Sequence, residues 1–352
     1  MSNPYADLPD FAFWRRAVSR IDAAAFDPIT EVPFGIAQSD RVATAGSCFA
    51  QHISRTLAKE GFNFLVTEAG PQSAGAVDQN YGVFPARFGN IYTVRQLLQL
   101  FQRAYGLFAP VDRAWLRSDG KFVDPFRPQI QDAGFETPEL LEADRETHLV
   151  AVQEMFETCD VFIFTLGLTE AWISREDGAV FPLAPGVVAD GSGEYAFENF
   201  SIESMVSDLT RFFGMLRDVN PEVRAILTVS PVPLIATFEP RHVLVSTTYS
   251  KSALRVVAEI AARSLEDIAY FPSYEIITGP QARGKYYADD LRDVTPEGVA
   301  HVMSVFKRHY LDGNGAGPAL QSPRNVAGNN MPDAKEREEE FQVICDEEAL
   351  DA

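Results

Sequence analysis

The sequence predicts an α/β protein built on a mostly parallel sheet with helices covering both faces. Three observations carry that expectation: short apolar runs of strand length, amphipathic stretches alternating with them, and glycine or Ser-Pro breaks where the runs stop. Arg41 to Ala45 reads as the first strand, stopped by Gly46, and Phe49 to Lys59 as the first helix. The apolar Phe62 to Val66 follows. Val94 to Tyr105 carries helical spacing in Leu97, Leu98, Phe101 and Tyr105. Asp160 to Leu166 is the clearest buried strand, β-branched and aromatic, and Ala225 to Val229 is another, ended by Ser230-Pro231-Val232-Pro233. Ser250 to Leu265 reads as a helix and Ala269 to Phe271 as a short strand. Thr295-Pro296 supplies the cap and first turn of a last helix through His301 and Phe306.

The remaining segments set the organisation. Residues 1–34 precede the alternating pattern as an N-terminal extension, and 35–312 form the expected domain. Within it, about 107–150 shows weak periodicity around Trp115 and Asp124-Pro125-Phe126-Arg127-Pro128, as an inserted segment over the site would. The glycine-rich and proline-rich 177–200 reads as a hairpin over the same edge. Beyond 312 the composition turns to glycine, proline and asparagine and then to acid, which predicts a disordered tail.

With 352 residues, of which 46% are hydrophobic, the chain can bury a sizeable core. The net charge of -20 argues against a nucleic-acid or anionic-membrane surface, which needs clustered lysine and arginine. Part of the excess lies in the tail after Asp333, where Glu336, Glu338, Glu339, Glu340, Asp346, Glu347, Glu348 and Asp351 face only Lys335 and Arg337. Cys48, Cys159 and Cys345 are widely spaced and odd in number, so a reducing compartment and a cytoplasmic location are expected, without a disulfide framework. No run has the length of a membrane span. The five histidines are scattered without HxxxH or CxxC pairing, and neither a metal nor a cofactor is expected.

In parallel sheets, function gathers at the carboxyl ends of the strands. Three segments meet that condition: Gly46-Ser47-Cys48-Phe49-Ala50, Gly167-Leu168-Thr169-Glu170, and Ser230 to Leu234. The first places a hydroxyl and a thiol side by side at a strand-to-helix turn, where helix N–H groups stabilise an anion. It is either a tight turn with a buried, inert cysteine or the seat of a nucleophile. Lys251, read as lying on the first turn of its helix, is either an exposed lysine or an ammonium near a substrate anion. Arg87 and Arg127 either bind an anionic ligand or pair with structural acids.

Gly46 to Ala50, Tyr81 to Tyr92, Thr165 to Trp172, Thr228 to Val232, Ser250-Lys251-Ser252 and Tyr270 to Ile276 resemble, in order, the GSCFA family. That family in turn resembles the SGNH, or GDSL-like, hydrolases. The resemblance covers roughly residues 35–310 and implies a flavodoxin-like, three-layer α/β/α sandwich with ester chemistry. Aligning the superfamily's Gly-Asp-Ser block on the glycine puts Cys48 on the nucleophile, whereas a one-residue shift returns the role to Ser47. The second block implies Gly89 and Asn90 as oxyanion donors. In the third, Thr169 stands where the superfamily has asparagine, and Glu170 follows as a capping carboxylate or as a group that orients a histidine or contacts substrate.

The last block departs from the pattern. Asp290 fits its acid, but Asp293 stands where the catalytic histidine belongs, and a carboxylate is a poor base at neutral pH unless its pKa is raised. His301, His242 and, one helical turn after Cys48, His52 are the candidates for a base from another place. Two readings follow. One is an SGNH-like hydrolase or acyltransferase acting on a small-molecule or carbohydrate ester through an acyl-enzyme at Cys48 or Ser47. The other is a degenerate SGNH fold that binds a carbohydrate or acyl ligand without turnover.

Overall fold

The structure, a computed structural model, describes residues 3–70, 79–312 and 345–350. Its centre is a parallel sheet of β1 (Val42–Gly46), β4 (Val161–Leu166), β8 (Arg224–Val229) and β9 (Ile268–Phe271), hydrogen-bonded in that order. Phe64 adds a parallel bridge on the free side of β1, with the Val42 N–H donating to Asn63 O and the Leu65 N–H to Val42 O, both at 2.9 Å. Counting that bridge as a strand gives the order 2-1-3-4-5 of a flavodoxin-like sheet.

Strand alternation sends side chains to two cores. Ala43, Ala45, Phe162, Phe164, Ala225 and Leu227 pack against α2 (Val94–Ala104), α3 (Pro138–Thr158), α4 (Ile202–Val219) and α5 (Val243–Ser264). Val42, Val161, Ile163, Ile226, Ala269 and Phe271 pack against α1 (Ala50–Lys59), α6 (Ser273–Thr278) and α7 (Pro296–Phe306). The chain is therefore a three-layer α/β/α sandwich. Phe156, Phe162 and Phe212 meet pairwise with ring centroids 5.7 Å apart, pinning α3 and α4 to β4. Each such fully buried ring contributes roughly 1.5–3 kcal/mol. The N-terminal extension packs on the second layer: Phe26 is in its core with Ile21 and Ile29 against it, and just beyond the extension the Ile36 N–H donates to Tyr310 O at 2.7 Å.

Three boundaries differ from the expectation. Residues 138–150 are not part of an insertion but the first half of α3, capped by Thr137 with Pro138 at its first position. Its helical periodicity is masked because Arg145 and His148 are buried among the apolar positions, held by ion pairs and hydrogen bonds. What precedes it, 107–137, carries only the hairpin of β2 (Trp115–Leu116) and β3 (Phe122–Val123). Helix α5 starts at Val243, earlier than expected, because the His242 Nδ1 accepts from the Leu244 N–H at 3.1 Å and caps a run whose valines and threonines disfavour helix. Most of the expected disordered tail, 313–344, lies outside the described residues; 345–350, by contrast, are ordered, with Cys345, Asp346 and Glu347 buried. Residues 177–200 form β6 (Val180–Phe181) and β7 (Tyr195–Asn199), which flank β5 (Glu170–Ser174) in an antiparallel sheet. No helix among the described residues is long and apolar enough to cross a membrane.

Candidate active site

The carboxyl ends of β1, β4 and β8 meet at one edge of the sheet. Gly46 closes β1 at φ +136°, a backbone conformation that side chains rarely adopt. A Cβ there would stand 2.3 Å from Thr165 O and 2.7 Å from Thr165 N on β4. Glycine is thus required for β1 to stay paired as it turns into α1. Gly46→Ala is expected to lose at least about 3 kcal/mol, from strain and overpacking together, in urea unfolding; a loss within experimental error would show that the turn relaxes freely.

The next residues are fixed by backbone hydrogen bonds. The Ser47 N–H donates to Thr165 O at 3.1 Å, and the Ser47 side chain packs on Gly167, where any Cβ would come 3.1 Å from its own. Ser47 Oγ and Thr169 Oγ1 are buried, and neither has a hydrogen-bond partner among the described residues. Gly89 at φ +72° turns the following strip inward, so that the Ile91 N–H reaches Gly46 O at 2.8 Å while the Gly167 and Leu168 N–H groups reach Tyr92 O at 3.0 and 2.9 Å. That strip carries Asn90 to the strand ends. Behind it, Tyr92, Leu168 and Leu234 form a small apolar cluster that joins the ends of β4 and β8.

Lys251 is the residue that the sequence undervalued. It is 1% exposed, two turns inside α5, and its Nζ donates to Gly167 O at 2.7 Å. Burial lowers its pKa to about 8, against the pull of the Glu347 carboxylate and of Cys48. Arg292 approaches from the loop before α7: its Nη2 lies 3.4 Å from Glu347 Oε2 and 3.8 Å from Cys345 Sγ. Cys48 and Cys345 are hydrogen-bonded to each other, and Lys251 and Arg292 both act on the pair. The hydrogen bond to Cys345, then burial, pushes the Cys48 thiol well up, whereas the same bond lowers Cys345 to about 6 with Arg292 beside it. Arg292, with Nη2 3.8 Å from Cys345 Sγ, favours a thiolate on Cys345 over one on Cys48.

The other expected members lie apart from this cluster. His301 spends both ring nitrogens in the second core, on Tyr286 Oη at 2.8 Å and on Phe26 O at 2.9 Å. His242 is exposed and caps α5. His52 stacks edge-on against Phe49, and burial lowers its pKa to about 4. Asp290 is a turn-former, its Oδ1 accepting the N–H groups of Arg292 and Asp293 at 3.0 Å each. With Leu291 at φ +58°, that turn leaves Asp293 exposed and brings Arg292 to Cys345 and Glu347. Glu170 accepts from Thr237 Oγ1 at 2.8 and 2.9 Å, tying β5 to the loop after β8, and burial raises its pKa. Arg87 and Arg127 pair with structural acids, both reaching Asp144, at 2.9 and 2.7 Å.

A family model described as the GSCFA family matches residues 41–306, more than half of the chain and all of the elements that build this edge. The chain belongs to the GSCFA family. No curated protein matches it. Among solved structures, a carbohydrate esterase family 3 protein from Talaromyces cellulolyticus is similar at 14% identity, over 62% of this chain and 89% of that one. Its TM-score of 0.27 is too low to carry a conclusion. What the GSCFA chain has at its strand ends is a thiol, a buried lysine, a guanidinium and a side-chain amide. Among the described residues no group of three or more His, Cys, Asp or Glu side chains is placed to hold a metal ion.

Proposed function

We propose that this chain is an SGNH-like hydrolase or acyltransferase acting on an ester, with Cys48 as nucleophile and Lys251 as the base in place of histidine. The observation that carries the reading is the buried Lys251, tied by Nζ to Gly167 O at the strand ends where Ser47 packs, its pKa lowered to about 8 by burial against the pull of the Cys48 charge. An amine with a pKa near the working pH can take a proton from a thiol and return it to a leaving alcohol. The thiolate attacks the ester carbonyl, and the Asn90 amide stabilises the oxyanion. The tetrahedral adduct collapses as the Lys251 ammonium protonates the departing alkoxide. Water, or an acceptor hydroxyl activated by the same amine, then releases the acyl group and regenerates the thiol. An O-acyl carbohydrate fits this chemistry as one class of ester.

Binding without turnover is the second reading, favoured by the absence of any histidine from the Cys48 cluster. Incubation with an activated ester such as p-nitrophenyl acetate, followed by intact mass and peptide mapping, separates the two. The expected result is an acetyl adduct on Cys48, lost in Cys48→Ala and retained in Ser47→Ala. No adduct on either residue, in the full chain and in the double variant Asp346→Ala, Glu347→Ala that removes the buried acidic side chains from the site, would overturn the catalytic reading, and an adduct on Ser47 would move the nucleophile by one position.

A further inference from the structure

The chain's own C-terminal segment sits in the site. Asn90 Nδ2 donates to Asp346 Oδ2 at 2.9 Å, and the Asp346 N–H donates to Tyr92 Oη at 3.0 Å. Glu347 is held by Arg292 at 3.4 Å and feels the Lys251 charge, and Cys345 meets Cys48. All three residues are less than a tenth exposed, although the segment is strongly acidic and begins 53 residues beyond Arg292. Burial raises Asp346 to about 6 and Glu347 to about 7, so the segment presents carboxyl groups to the amide and to the basic side chains. A carboxyl on the Asn90 amide, one residue from the cysteine that meets Cys48, is the arrangement expected of a bound carboxylic acid product. Asp346 and Asn90 both line a small cavity whose wall includes Phe88, Phe126, Arg127 and Ile130.

We propose that Cys48 and Cys345 form a redox pair, and that their disulfide locks the C-terminal segment in the site as a product-like inhibitor. This inference rests on the catalytic reading only for the word inhibitor; the docking and the disulfide stand without it. The oxidant is a hydroperoxide. The Cys345 thiolate attacks the peroxide oxygen, giving a sulfenic acid and releasing hydroxide. The Cys48 sulfur then displaces the sulfenic oxygen, forming the disulfide, and its proton leaves with that oxygen as water. In sum two thiols and one hydrogen peroxide give one disulfide and two waters. A dithiol reductant reverses the lock through a mixed disulfide. In the reduced, docked state the Cys345 contact and burial both favour the thiol form of Cys48, which quiets the nucleophile.

The test uses the full chain. Peroxide treatment is expected to remove two hydrogens from the intact mass and to yield, without reductant, a peptide joining Cys48 to Cys345, both reversed by dithiothreitol. Cys345→Ser is expected to abolish the joined peptide. Cys159, at the far end of β4 with burial raising it to about 12, is the internal control and is expected to stay unpaired. In the absence of oxidant, the double variant Asp346→Ala, Glu347→Ala is expected to raise the rate of Cys48 alkylation by iodoacetamide by at least about tenfold, the opening of a contact worth ~1.4 kcal/mol. An unchanged alkylation rate would overturn the docking. A Cys48 to Cys345 bond found only between two chains on a non-reducing gel, or none at all, would overturn the lock. Neither arm requires turnover, so a chain that forms the bond yet acetylates nothing even as the double variant Asp346→Ala, Glu347→Ala loses the catalytic reading and keeps this one.

Discussion

Lys251→Met is expected to slow acyl-enzyme formation at Cys48 by roughly 10²–10⁴, the range supplied by a positioned general base. Methionine keeps most of the stem that fills the gap between α5 and Gly167, so the fold is expected to survive, while the Nζ donor to Gly167 O and the proton acceptor are both lost. Stopped-flow release of p-nitrophenol under single turnover measures the step, and near-ultraviolet circular dichroism checks the fold. A pH profile adds the decisive readout: with Lys251 in place the rate rises with pH through the titration of the amine near 8, and in the variant that rise is expected to move upward with the unassisted thiol. An unchanged rate and profile would remove Lys251 from the mechanism and leave it as a buried tether for Gly167.

Asp124→Ala is expected to be the most damaging substitution away from the site. Asp124 is fully buried where residues 107–137 meet α3, with Oδ2 accepting from Arg127 Nε at 3.0 Å and Arg145 Nε at 3.2 Å, and Oδ1 from the Phe126 N–H at 3.0 Å. Burial alone would push its carboxyl up, yet Arg145, Arg127 and Arg103 together hold it far below the usual range. Arg103 is itself lowered to about 9 by burial and stacks 3.9 Å over the Phe126 ring. Removing the one carboxylate these three guanidinium groups share leaves Arg127 on Asp144 and Arg145 on Glu142 but strips the central counter-charge from a buried cluster, which costs up to about 3–5 kcal/mol. Urea unfolding measures it. Asp124→Asn, which keeps an acceptor for the Phe126 N–H but not the charge, is expected to fall between wild type and alanine; a loss under about 1 kcal/mol for alanine would mean that water reaches the cluster.

The strands and the turn at Gly46 are legible in the sequence because their causes are local: uncharged β-branched runs, then a glycine where no Cβ fits. Of the candidate site, the sequence shows the positions carried by those turns, Ser47, Cys48, Asn90 and Thr169, which the fold brings to one sheet edge. Lys251 was hidden by the Val243 to Thr248 stretch, whose β-branched residues argue against the helix that buries it, so the helix seemed to start one or two turns late. Arg292 was hidden by a one-residue effect, since only the left-handed Leu291 decides which of two neighbours turns inward. The docking of 345–347 leaves no periodic mark. Its carboxyls are stabilised by an amide, a guanidinium and an ammonium from three distant segments, and composition alone reads such a stretch as solvated.

One consequence follows from the carboxyl on Asn90. Any ligand that uses that amide must first displace a neighbour tethered to the same chain, so its measured affinity is a product of two equilibria and is weakened by the fraction of molecules whose site stands open. Dilution does not relieve such competition, because the competitor travels with the site. Clipping, tagging or extending the chain near residue 350 would change the apparent affinity while every residue of the pocket stayed the same.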